Sequence, residues 1–147
     1  MPHHFSHHFI LRSGDDENLQ SGPGQLTVRI PKAFGIRYGW IQMDKLIIGG
    51  AKKGPVWVSC SAAQELVLSG GKGLPLLGVF YCDGLRNKTY TFQGGDIWLP
   101  LRGATLNHLT VRLLDPETQK PIEFHTKNPS IVIHLTIHDD PTLQTSA

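Results

Sequence analysis

The sequence predicts an all-β sandwich of about eight to ten short strands, and three observations carry that expectation. Apolar residues recur at every second position in several segments, turn residues punctuate the chain between those segments, and no stretch of helical period competes. Sixteen glycines and ten prolines are spread along 147 residues, the punctuation expected of many strands joined by tight turns. Hydrophobic residues make up 39% of the chain and charged residues only 18%, so there is apolar surface to bury and too little charge to keep the chain unfolded. The length suits one domain.

Taken in order, a first strand is expected from His7 to Arg12, followed by a polar loop from Ser13 to Gly24. Leu26 to Ile30 alternates apolar with polar and is closed by Pro31, as a strand with one wet face should be. Trp40 to Ile48 is a longer strand ended by Gly49 and Gly50. In Val56 to Cys60, the residues Val56, Val58 and Cys60 fall on one face, and Trp57 and Ser59 on the other. Leu66 to Leu68 reads as strand or loop, with a helical turn over Ser61 to Leu66 as the alternative, and Leu74 to Cys82 as an apolar run carrying Pro75 and Gly78. Tyr90 to Phe92 and Asp96 to Pro100 are separated by Gly94 and Gly95, a hairpin-like punctuation. Leu109, Val111 and Leu113 alternate before a turn at Asp115 to Lys120, which predicts a hairpin whose partner strand holds Ile122 and Phe124. Ile131, Ile133, Leu135 and Ile137 set the apolar face of a last strand. The expected domain covers residues 9–140, with a His-rich tail at 1–8 and a polar tail at 141–147.

The residue types that carry chemistry do not assemble into a motif. Ser59, Ser61 and Ser69 lack the Gly-x-Ser-x-Gly context of a nucleophile elbow. Ser69 to Gly73 resembles a phosphate loop only until Lys72, which Gly73 follows where a Ser or Thr is needed; a turn is expected there. Asp15, Asp16 and Glu17 are adjacent and do not alternate as a calcium loop requires. His3, His4, His7 and His8 crowd the amino terminus without Cys, Asp or Glu at ligand spacing, so any metal held there would be adventitious. His134 and His138 share a strand face that His108 approaches if their strands are neighbours, the one arrangement suggesting a cupin-like metal enzyme, although alternation with Ile and Leu is also what a wet sheet face requires. No catalytic, cofactor or metal residue is therefore nominated. Cys60 and Cys82 are expected to be reduced core residues, since two cysteines make no disulfide framework and lack zinc spacing. Asn87-Lys-Thr89 is formally a glycosylation sequon, expected to go unused without a signal peptide, and Pro129 blocks the one at Asn128. A formal charge of +2 from dispersed Lys and Arg predicts no direct nucleic-acid binding, and no apolar run is long enough to predict a membrane helix. Outward aromatics remain as contact candidates: Trp57, Trp98 and Tyr81.

The order of segments resembles the minor capsid proteins of Polinton and adintovirus-type elements. The resemblance rests on Phe9-Ile-Leu-Arg-Ser-Gly-Asp-Asp-Glu-Asn18, Gln25-Leu-Thr-Val-Arg-Ile-Pro31 and Gly39-Trp-Ile-Gln-Met-Asp-Lys-Leu46. It continues through Val56-Trp-Val-Ser-Cys60, Leu74-Pro-Leu-Leu77, Leu109-Thr-Val-Arg-Leu-Leu-Asp115, Pro121-Ile-Glu-Phe124 and Ile131 to Ile137, and so covers most of the chain. What matches is arrangement more than rare residues. The resemblance implies a single jelly-roll β-sandwich without enzyme activity or cofactor. It implies a penton or minor capsid subunit that forms pentamers at icosahedral vertices beside a major capsid protein, in virions assembled inside the host cell. The chain departs from larger relatives in having little room for a receptor-binding domain. The alternative from a different class is a carbohydrate- or protein-binding β-sandwich using the same aromatic residues.

Overall fold

The computed structural model describes residues 5–13, 24–30, 35–65, 67–69, 71–94, 97–103 and 106–140. Among them are eleven strands and no helix: β1 (Phe5–Arg12), β2 (Gln25–Arg29), β3 (Gly39–Gly49), β4 (Gly54–Cys60), β5 (Val67–Ser69), β6 (Lys72–Leu74), β7 (Leu76–Cys82), β8 (Thr89–Gln93), β9 (Trp98–Pro100), β10 (His108–Leu114) and β11 (Ile131–Asp139). One sheet has the order β1-β11-β3-β8 with β9 also on β3, the second has the order β2-β10-β4-β7, and β5 and β6 form a separate ribbon. All pairings are antiparallel. Apart from the ribbon-linked β4 and β7, successive long strands alternate between the sheets, which is the double Greek-key winding of a jelly roll. The chain is therefore an all-β jelly-roll sandwich.

The period-2 patterns place the core. Ile41, Met43, Leu46, Ile48, Ile131, Ile133, Leu135 and Ile137 from the first sheet face Leu26, Val56, Val58, Leu109, Val111 and Leu113 from the second, all nearly inaccessible to water. Each such side chain contributes roughly 1.5–3 kcal/mol on burial. Leu11 of β1 and Cys60 of β4 close the same layer.

Three expectations change. The first strand, expected from His7, begins at Phe5 inside the expected tail: Phe5 pairs with Asp139 and Ser6 with His138, because β11 is long enough to extend the ladder to both. Residues 1–4 and 141–147 of the expected tails, and 14–23 of the first loop, lie outside the described residues. The glycine punctuation at Gly94 is not a hairpin. Both β8 and β9 are antiparallel to β3 and lie along its one remaining edge, since β11 occupies the other, so they are two pieces of a single interrupted strand. The expected return strand at Ile122 and Phe124 is replaced by single bridges from Pro121 to Leu114 and from Phe124 to Ala51. Its place is taken, because β2 and β4 already flank β10, and the chain crosses to the other sheet as β11.

The sandwich has two ends. At one, the connections β3–β4, β7–β8 and β10–β11 are stitched together by Gly50 N to Lys88 O (3.1 Å), Lys52 N to Glu123 O (3.0 Å) and His125 N to Gly50 O (2.8 Å). At the other, the β4–β5 and β9–β10 connections meet through Gln64 N to Pro100 O (2.8 Å) and the Arg102–Glu65 ion pair (2.9 Å).

Candidate functional site

The nucleophile and metal candidates are separated or occupied. The hydroxyl of Ser61 accepts the amide of Thr110 at 3.0 Å, and Ser69 pairs with Lys72 across the β5–β6 turn, with no helix following. His108 stands exposed on β10 of one sheet, whereas His134 and His138 lie on β11 of the other, so the imidazoles do not converge. Among the described residues no three His, Cys, Asp or Glu side chains are placed to hold a metal. His3, His4, Asp15, Asp16 and Glu17 are outside the described residues. Cys60 and Cys82 are free and buried, and burial pushes both thiols up to about 11, which leaves them neutral and poorly nucleophilic. No helix among the described residues is long and apolar enough to cross a membrane.

What the fold does present is apolar surface on both outer faces. Alternation along β4 and β7 turns Val56, Val58 and Cys82 inward and leaves Trp57, Val79 and Tyr81 outward. Trp57 is paired with Val79 on one side and Leu114 on the other, and Pro55 with Tyr81, giving one continuous patch on the second sheet. Val79 and Tyr81 are each 56% exposed. Trp98 is not part of this patch. It lies on β9 of the opposite sheet, opposite Gln42, with its ring edge-on to His138 at 6.4 Å. Its apolar neighbour there is Trp40, itself exposed and paired with His138. Sequence reasoning thus grouped three residues that the winding divides between two faces, and missed Val79. The alternation Val79, Tyr81 in β7 carried that signal, masked by the continuous apolar run around it.

Elsewhere the first sheet's outer face mixes the apolar Ile10, Ile47 and Val132 with polar side chains that bond one another. His8 Nδ1 and Thr136 Oγ1 are 3.0 Å apart, and the Thr136 hydroxyl donates to the Asp44 carboxylate. At the loop end, Asp83 accepts from Lys88 Nζ (2.7 Å), from the Tyr90 hydroxyl and from Leu85 N (3.3 Å). The Lys88 ammonium first, and the phenol second, hold its carboxyl down at about 2.

No protein-family model matches the chain, and no curated protein matches it. Among solved structures, similar chains include one from the Nora virus structure, with 11% identity over 92% of this chain and 55% of that one, at a TM-score of 0.30. This chain therefore spans about half the length of that one. The tobacco streak virus coat protein shares 10% identity over 91% of this chain and 87% of its own, at a TM-score of 0.28. A tomato aspermy virus chain shares 13% identity over 97% and 81%, at a TM-score of 0.31. At TM-scores of 0.28 to 0.31 these superpositions carry no argument, and the fold rests on the strand order itself.

Proposed function

We propose that this chain is a structural virion protein, a single jelly-roll penton or minor capsid subunit that homo-oligomerises beside a major capsid protein, inside the host cell, and performs no catalysis. The observation that supports it most is the pairing of a two-sheet jelly roll with outward aromatic patches on both faces, the half-buried Trp57 with the exposed Tyr81 on one and the exposed Trp40 and Trp98 on the other. A closed ring needs heterologous contacts, in which each copy meets its neighbours through two different surfaces. Patches on opposite faces of a slab supply such a pair, and tryptophan and tyrosine are the side chains most enriched where interfaces bind tightly. The segment order, which resembles that of Polinton-type minor capsid proteins, fits the same reading.

Light scattering on the native protein over a range of concentrations tests it. The expected result is a five-fold mass that Trp57→Asp reduces to the monomer without altering the circular dichroism. A monomer that stays monomeric when mixed with shell protein, yet binds glycans or another protein through Trp57 and Tyr81, would transfer the chain to the binding-module class.

A further inference from the structure

The loop end holds a cleft that neither aromatic face uses. It has a volume of about 460 Å³ and is lined by the cations Arg86 and Lys88, the amides Asn87 and Asn128, and the hydroxyls Thr126 and Ser130. No Asp or Glu is among its described lining residues. Its floor is fixed before any ligand arrives, because Gly50 N bonds Lys88 O (3.1 Å), His125 N bonds Gly50 O (2.8 Å) and Gly49 N bonds Ser130 O (2.8 Å). The Lys88 ammonium is shared with Asp83, whereas among the described residues no carboxylate pairs with Arg86.

We infer that this cleft binds a sulfated saccharide, with the Arg86 guanidinium on a sulfate ester and the amides and hydroxyls on the sugar. A guanidinium fork matches two oxygens of a tetrahedral oxyanion, and an acid-free, amide-rich wall suits a ligand that is anionic at one point and hydroxylated elsewhere. A nucleic acid supplies the same kind of oxyanion, but it is disfavoured here. The one aromatic ring among the described lining residues, the imidazole of His125, is tied to Gly84 O at 2.9 Å, no Phe, Tyr or Trp stands beside it to stack bases, and the net charge of +2 gives no basic stripe to follow a phosphate backbone. The inference does not rest on the assembly reading, since the cleft lies at the end of the sandwich and the patches on its faces.

Fluorescence anisotropy of the full chain tests it, with a labelled heparin-derived octasaccharide, its fully desulfated counterpart and a single-stranded DNA of matched charge. The sulfated probe should bind and the desulfated one should be at least about tenfold weaker; Arg86→Ala should weaken binding by about tenfold, with Arg86→Lys between the two. Lys72→Ala, at the opposite end beside Arg102 and Glu65, should leave it unchanged. Arg86 is exposed, so these variants keep the fold. Absence of binding, equal binding of the desulfated probe, an unaffected Arg86→Ala variant, or tighter binding of the DNA would each overturn the inference.

Discussion

Asp83 shows how much of the loop end depends on one side chain. It follows the last residue of β7 and gathers Lys88, the Tyr90 hydroxyl and Leu85 N, while the same Tyr90 oxygen accepts Gly84 N at 2.9 Å and Lys88 sits over the Tyr90 ring at 5.0 Å. His125 Nε2 lies 2.9 Å from Gly84 O, which ties the turn to the β10–β11 connection. Because the folded-state pKa falls from 3.8 to about 2, the unfolded chain takes up the proton first as pH drops. The stabilisation is present above pH 3.8 and is lost as pH falls through about 2. Urea denaturation across that window should show the wild type losing stability relative to Asp83→Asn, with the difference between them vanishing at the acid end. A constant difference at every pH would show that the ion pair adds nothing. The Asp83-Gly84 turn was legible in the sequence; the reach of Lys88 and Tyr90 back to it was not, since only the antiparallel path of β8 returns them.

Among the elements, β3 organises the first sheet and carries its main irregularity. Lys45 is opposite His134 but Met43 is opposite Leu135, so Asp44 is an extra residue. The bulge moves the inward positions from Ile41 and Met43 to Leu46 and Ile48. It also accounts for the division of the neighbouring strand into β8 and β9, which resume on either side of it. Gly94 fills the gap, donating its amide to Asp44 O at 2.9 Å, and a Cβ on it would come within 1.8 Å of Met43 O. Gly94→Ala should therefore cost about 1–3 kcal/mol in chemical denaturation, the range for forcing an extra carbon into packed structure. A neutral substitution would mean the bulge relaxes freely. From the sequence alone a glycine pair between two apolar runs signals a hairpin; that this one faces a bulge depends on a partner strand about fifty residues earlier, whose pairing is not local.

For the whole molecule, the two aromatic patches make a prediction that separates ring closure from simple dimerisation. If the ring uses one face of each copy against the other face of the next, Trp57→Asp and Trp98→Asp should each abolish it, and an equimolar mixture of the two variants should reach heterodimers and stop. An isologous dimer would respond to one substitution only, and mixing would restore nothing. Sedimentation velocity on the two variants and their mixture distinguishes these outcomes, with the monomeric circular dichroism confirming that each variant is folded. The placement matters because Trp57 and Trp98 look equivalent in the sequence, each an aromatic residue in a short apolar strand.

The sequence by itself determined the all-β class, the positions of nearly all the long strands and the inward set of those that alternate cleanly, β2, β4, β10 and β11. Side-chain alternation is a property of the strand, and Val56, Val58, Leu109, Val111, Ile131 and Ile133 declare it without reference to any partner. Turn chemistry likewise needed only local residues, as at Asp115, whose carboxylate accepts Glu117 N at 2.8 Å. Only the tertiary structure decided which edges meet: that β11 takes in Phe5 and Ser6, that β2 and β4 leave no place beside β10 for a return strand, and that Trp98 faces away from Trp57 and Tyr81. The reason is that a strand's alternation fixes which side faces the core but not the sheet to which it belongs. Winding supplies that choice, through pairings between residues far apart in the chain.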